Sequence, residues 1–460
     1  MFKAIINTFA NCFKIPELKS RIFFTLIVLG ICRVISMIPI PGLNGAELSA
    51  YFEKANKTAG AGLLGMYSMF TGGALERCAI GALGIMPYIS ATIIMQLLGA
   101  VIPQLSKLAR EEGGRAKIIQ YSRYLTVLLC LGQGFFMALG WENASTIFPG
   151  FTGKLVLYAS SGWEHWWYLL QTVLLVTTGT LLLMWLGEQI TERGIGNGVS
   201  LVITIGILAR LPQAYVGVMD MFFTKASESR FNIFHGIALI CLLFGVIAGV
   251  IAITQAQRKV PVQYAQRAVG RKVYQGGTSF MPLRVNYAGV MPVIFAQAIL
   301  MFPQKIFLFL GAKIPFFKDL AIYFGEEAFL YMFFYGLMIL FFSYFWVATQ
   351  FNEIQIADDL KKYGGYIPGV RPGQATSAFL HNAMSRITLA GGIFLTVIAI
   401  IPVLLSRVMK VPYPVATFFG GTSMLILVGV VLDTMRQMES HLLMRHYDGF
   451  LKKGKLRGRF

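Results

Sequence analysis

The chain has 460 residues, of which 56% are hydrophobic and only 13% charged. A soluble domain carries about 25% charged residues, so this balance excludes an ordinary globular protein and indicates a polytopic membrane protein. The net charge of +19 would suit a nucleic-acid binder, but the placement of the charges points elsewhere.

Residues 1–21 open the chain, with Phe2, Ile5, Ile6, Phe9 and Phe13 at helical spacing among Lys3 and Lys14. They read either as an amphipathic segment on the cytoplasmic leaflet or as a disordered tail. Apolar runs of spanning length then centre near residues 30, 90, 129, 176, 207, 244, 298, 340, 396 and 425, which predicts ten spans. Span 1 contains Arg33 and lacks a small-residue cleavage site, so it reads as a retained span rather than a signal peptide. It ends at IPIPG (38–42), where two prolines stop helical hydrogen bonding.

Residues 60–98 are the most unusual stretch. An apolar piece at 62–70 is too short to cross a bilayer, and a Gly-rich break, TGGALER (71–77), follows it. A full-length helix is predicted over 78–102, with Pro87 inside it. A half-span before a full span predicts a re-entrant segment, tolerated only where protein or a watery cavity surrounds it. The alternative is a hydrophobic loop lying on the membrane surface.

Side-chain amides and hydroxyls inside spans are uncommon, and Ser90, Thr92, Gln96, Gln133 and Gln297 stand out on that ground. Either they face a pathway or they make ordinary inter-helix hydrogen bonds. The connection 186–198 carries Gly194, Gly196 and Gly198. No strand precedes it and no Gly-Lys-Ser/Thr follows, so it reads as a rigid reversal rather than a phosphate loop.

The connection 255–284 holds Arg258, Lys259, Arg267, Arg271, Lys272 and Arg284 with no acidic residue. Val260, Val262, Tyr264, Val273 and Tyr274 interleave with them, which predicts a projecting hairpin able to bind anionic lipid, RNA or an acidic protein face. The second long loop, 351–386, sets Arg371 between two Pro-Gly turns.

Charge placement orients the chain. The N-terminus and the segments 103–123, 187–197, 255–284, 351–386 and 436–460 hold 27 of the 40 Lys and Arg residues. The alternate connections hold 12, and Arg33 lies within span 1. The positive-inside rule therefore puts both termini in the cytoplasm. The predicted organisation is a cytoplasmic segment 1–21, a half at 22–225, a second half at 226–435 and a basic tail at 436–460.

The two halves share an echo. GIMPYI (84–89) and GVMPVI (289–294) each lie in the second long span of their half. Five spans per half make the second half enter from the opposite side, the arithmetic of an inverted repeat. Pro87 and Pro292 are expected to bend or loosen both helices at matching depths.

Chemistry is scarce. The five histidines form no HExxH pair, there is no GxSxG elbow, and the acidic residues sit almost wholly in loops. The five cysteines have unrelated spacings, with no disulfide or metal pattern. An enzyme is not expected, and no cofactor. Ions and small polar solutes usually require ionisable groups at mid-membrane, and the spans are nearly free of them. An apolar constriction that closes by dewetting remains, suited to a bulky, chemically varied passenger. A small-solute transporter with inverted repeats is the alternative.

The run MWLGEQITERGIGNG (184–198) closely resembles the SecY family of bacterial protein-conducting channels. So do IPIPG (38–42), GGAL (72–75) with ALGIMPYIS (82–90), PGVRPG (368–373) and GGTS (420–423). The resemblance implies an all-α polytopic fold of ten transmembrane helices in two pseudo-symmetric inverted halves. It implies a re-entrant plug half-helix at 63–75, including Leu63, Leu64, Met66, Met69 and Phe70. It puts a hydrophobic pore ring at Ile85, Ile89, Val199, Ile203, Ile294 and Ile426. It implies a lateral gate between spans 2 and 3 and spans 7 and 8, with Ser90, Gln96, Gln133 and Gln297 as its polar candidates. Docking of a SecA-type motor ATPase or the ribosome falls to Arg258, Lys259, Arg267, Arg271, Lys272 and Arg371. The implied partners also include SecE-like and SecG-like small membrane subunits, signal-sequence-bearing preproteins and membrane lipids, in the cytoplasmic membrane. Three departures stand out: Val199 where isoleucine is common, a longer run at 411–419, and Gln255 and Gln257 where an acidic residue often stands.

Overall fold

A computed structural model describes residues 15–453 apart from 58–67, 69, 112, 145–147, 149–150, 159–161, 224–232, 265–266, 270–271, 275–276, 288, 312–313, 325–327, 410–414 and 416–421. The chain divides into two compact units. One covers the chain up to Arg230 together with Pro412–Phe418 and Ile426–Phe460; the other comprises Phe231–Val411 and Phe419–Leu425. All ten predicted span centres fall within helices.

In the first unit, α1 (Pro16–Ile35) starts with Pro in its first turn and buries Thr25, Val28, Leu29, Cys32 and Ile35 on one stripe. Its other face exposes Phe23, Leu26, Ile27, Ile31 and Val34, the pattern of a helix that meets lipid. The chain then runs antiparallel to residues 78–80, with Ile40 N–H donating to Cys78 O at 2.9 Å and Ile80 N–H to Ile38 O at 2.9 Å. A short helix, α2 (Gly45–Lys57), packs Tyr51 and Phe52 edge-on against Phe148. The apolar elements that follow in this unit are α3 (Met86–Val101), which is shorter than a span, and the membrane-length α5 (Gly114–Glu142), α6 (Trp163–Arg193) and α7 (Gly198–Leu208) with α8 (Leu211–Phe223). A short amphipathic α4 (Pro103–Arg110) joins α3 to α5. At about 1.5 Å per residue α6 overshoots a hydrocarbon core of about 30 Å.

The second unit contains α9 (Ile233–Gln255), α10 (Met291–Gly311), α11 (Pro315–Tyr323), α12 (Phe329–Gln350), α13 (Glu353–Lys362) and α14 (Gln374–Met409). Between α9 and α10, β1 (Gln257–Tyr264) pairs antiparallel with β4 (Thr278–Arg284), and β2 (Arg267–Val269) pairs with β3 (Lys272–Tyr274) beyond them. The last helix, α15 (Thr422–Lys453), has its start in the second unit and its body in the first.

Among the described residues six helices are long and apolar enough to span a membrane. α1 misses that standard through Lys19, Arg21 and Arg33. The second predicted span is shorter than expected: residues 71–85 are a run of turns and the helix starts at Met86. Gly84 is the cause. Its φ of +59° lies in the left-handed region, where an α-helix cannot continue. Pro87 consequently occupies the first turn rather than the interior, where it costs no hydrogen bond. The echo repeats the device: Gly289 has φ +61°, α10 starts at Met291, and Pro292 follows it. The expectation that these prolines bend their helices is therefore corrected: they begin them.

Candidate functional site

The pore-ring candidates of the first unit sit on three elements. Ile85 immediately precedes α3, and its carbonyl accepts from Ile89 N–H at 3.2 Å, so the two side chains share a face. Both are buried, as is Ile203 on α7, while Val199 is half-buried. Ile426 on α15 is fully buried. In the second unit Ile294 donates its N–H to Val290 O at 3.3 Å, the exact counterpart of the Ile89–Ile85 bond, and is itself buried. Of the plug candidates, Phe70 is buried, whereas Leu63, Leu64, Met66 and Met69 lie outside the described residues.

The glycine-rich reversal at 194–198 joins α1, α6, α7 and α15. Ile195 N–H donates to Thr25 Oγ1 on α1 at 3.1 Å, and Gly196 N–H to Gln437 Oε1 on α15 at 2.9 Å. Asn197 caps α7 by accepting from Ser200 N–H at 3.2 Å. Gly196 has φ +88°, as the turn requires. A side chain at Gly198 would collide with Gly187 O, so glycine there lets α6 and α7 touch backbone to backbone.

Among the gate candidates, Ser90 spends its hydroxyl on its own helix, donating to Met86 O at 3.0 Å. Gln96 and Gln133 are half-buried and Gln297 is buried.

The two basic loops turn out to be one body. β5 (Gly365–Tyr366) adds to the free edge of β1, giving the order β4-β1-β5. Val260, Val262 and Leu283 from the hairpin pack with Phe351, Ile367, Leu380 and Met384 from the second loop and α14. Arg258 and Lys259 are exposed on β1, and Arg371 is exposed between Gly369 (φ +81°) and Gly373 (φ +102°). Thr376 Oγ1 donates to Arg371 O at 2.9 Å, pinning the backbone beneath that guanidinium. Arg267 and Lys272 lie on the paired strands β2 and β3; Arg271 lies outside the described residues.

Two polar constellations escaped the sequence reading. Arg210 and Glu76, both buried, form an ion pair at 2.7 Å. The same guanidinium donates to Ser68 Oγ and, at 2.7 Å, to Gln213 Oε1. From the other side Arg33 donates to Gly72 O at 3.1 Å, so two arginines grip the chain around the Gly-rich break. Further along, Arg123 of α5 makes a bidentate pair with Glu188 of α6, at 3.1 and 2.7 Å, and Tyr88 of α3 donates to Glu188 at 3.2 Å. Glu76 and Arg210 flank glycine and proline breaks, a signal that marks them only once the fold joins residues 134 positions apart.

Comparison with solved structures defines the class. The chain matches "The structure of a protein conducting channel" with a TM-score of 0.61, at 20% identity over 92% of each chain. It also matches Sec61 in the canine ribosome-channel complex from the endoplasmic reticulum, with a TM-score of 0.56 at 19% identity over 92% of each. The fold is thus that of the protein-conducting channels. A family model described as SecY matches residues 79–435. "Protein translocase subunit SecY" of Chlamydia trachomatis is 42% identical over 98% of this chain and 99% of its own. Its counterpart in Thermotoga maritima is likewise 42% identical, over 98% and 99%. The chain belongs to the SecY family.

Proposed function

We propose that this protein is the central subunit of a channel that moves unfolded secretory polypeptides across the cytoplasmic membrane and releases apolar segments sideways into it. The observation that carries the reading is its near-full-length identity with protein translocase subunits. Geometry supports it: the ring candidates are apolar and mostly buried, which suits a barrier that seals by dewetting. Ile85, Ile89, Val199, Ile203, Ile294 and Ile426 form the ring, the segment 63–75 is the plug, and Ser90, Gln96, Gln133 and Gln297 are gate positions. Small SecE-like and SecG-like subunits flank the channel. The exposed basic body carrying Arg258, Lys259 and Arg371 docks a motor ATPase or the ribosome, with both termini in the cytoplasm. No chemistry belongs to the chain itself; energy comes from those partners or the membrane potential. The near-full-length relatives leave the solute-transporter alternative unfavoured.

The deciding experiment is protease protection of a signal-bearing precursor in proteoliposomes holding this chain, its SecE-type partner, the motor and ATP. Protection that requires ATP supports the reading. Its absence, with partners active on a known channel, overturns it.

A further inference from the structure

We infer that Gly187 and Glu188, consecutive residues of α6, are positioning residues for the pore ring; the inference rests on the channel reading above. α3 begins with Pro87 in its first turn but without a side-chain cap, so no capping side chain fixes its orientation. α6 does so instead. A Cβ at Gly187 would lie 3.5 Å from Ile85 Cδ1 and 3.6 Å from Val199 N, so this glycine is where two ring-bearing elements close on α6. The next residue, Glu188, takes the Tyr88 hydroxyl at 3.2 Å. Ile85 and Tyr88 are three positions apart and so neighbours on one helix face. The Tyr88 hydrogen bond and the close approach of Ile85 to Gly187, at adjacent positions of α6, oppose rotation of α3 about its own axis. Such a rotation would turn Ile85 and Ile89 off the ring.

Arg123 makes the attachment rigid. Its two bonds to the Glu188 carboxylate are charge-assisted and bidentate, fixing the carboxylate plane that Tyr88 reads. The Glu188 side chain is 13% exposed, so water competes little for it, although Arg123 is 46% exposed. The bracket thereby holds α3, α5 and α6 as one leaf.

The test uses full-length channel with its SecE-type partner in vesicles. Resting ion leak, thermal melting and amide exchange of residues 86–101 are read together. Glu188→Gln and Tyr88→Phe are each expected to raise the leak, the former by about threefold or more, with melting little changed. Arg123→Glu is expected to leak as well, and the charge swap Arg123→Glu/Glu188→Arg to return leak and exchange close to the unaltered values. Unchanged leak in both Glu188→Gln and Tyr88→Phe overturns the inference, as does a leak that the swap fails to rescue. Precursor transport by the unaltered chain is measured in parallel. Its absence is a failure of the channel reading, whereas a transporting chain whose leak ignores Glu188 is a failure of the bracket alone.

Discussion

Arg210 illustrates how much a single buried cation decides. Its guanidinium meets Glu76, Ser68 and Gln213 where the first unit excludes most water. Removing one partner of a buried pair leaves an uncompensated charge, at a cost of about 3–5 kcal/mol. Glu76→Gln is therefore expected to lower the melting temperature markedly, and Glu76→Gln/Arg210→Met to recover most of the loss. A linear reading assigns both residues to loops, because the run of turns that carries Glu76 inward has no periodicity to reveal it. That Ile85 and Ile89 share a face was more legible, since apolar residues four apart on a helix do so in any fold. Replacing Ile89 and Ile294 with Asn is expected to hydrate the constriction and make resting vesicles leak small ions. Unchanged leak would count against the ring assignment.

At the scale of elements, the echo between the halves is a shared way of starting a helix. Gly84 and Gly289 both adopt left-handed backbone two residues before the first residue of α3 and α10. Alanine at either is expected to cost about 1–2 kcal/mol, measured by thermal melting. The loss should be larger at Gly84, where a Cβ meets Thr71 Cγ2 at 3.2 Å; at Gly289 it meets nothing within 4 Å among the described residues. Composition reveals apolar length, and the span centres were legible for that reason. It does not reveal a glycine's φ, so apolar length alone places the helix start eight residues before Met86 and Pro87 in the helix interior. The hairpin was legible from β-rich runs around a turn, whereas β5 has two residues and pairs about 100 positions away. Arg371 projects from a turn held through its backbone. Arg371→Glu is expected to leave melting unchanged and to abolish ATP-driven transport, read by protease protection; surviving transport would remove it as the coupling residue.

For the whole molecule, the asymmetry of basic residues is the simplest organising fact. Single cysteines placed in 255–284 and in 140–165 are expected to react with an impermeant thiol reagent from opposite sides of the membrane. Labelling from the same side would undo the predicted orientation. The mainly helical membrane class was legible from the apolar spans and the family from motifs. The joining of distant polar residues into brackets was not, because it depends on which helices become neighbours.

The two-residue strand β5 has a consequence for regulation. By adding to β1 it joins the hairpin and the segment leading into the Arg371 turn in one sheet over one core. A molecule bound near Arg258 that shifted or stiffened β1 would then alter the affinity of the Arg371 turn for a second molecule. Thermodynamic reciprocity demands that the second alter the first by the same factor. Two molecules bound to this surface would therefore be linked in free energy even where their footprints never overlap, each acting as the other's allosteric effector.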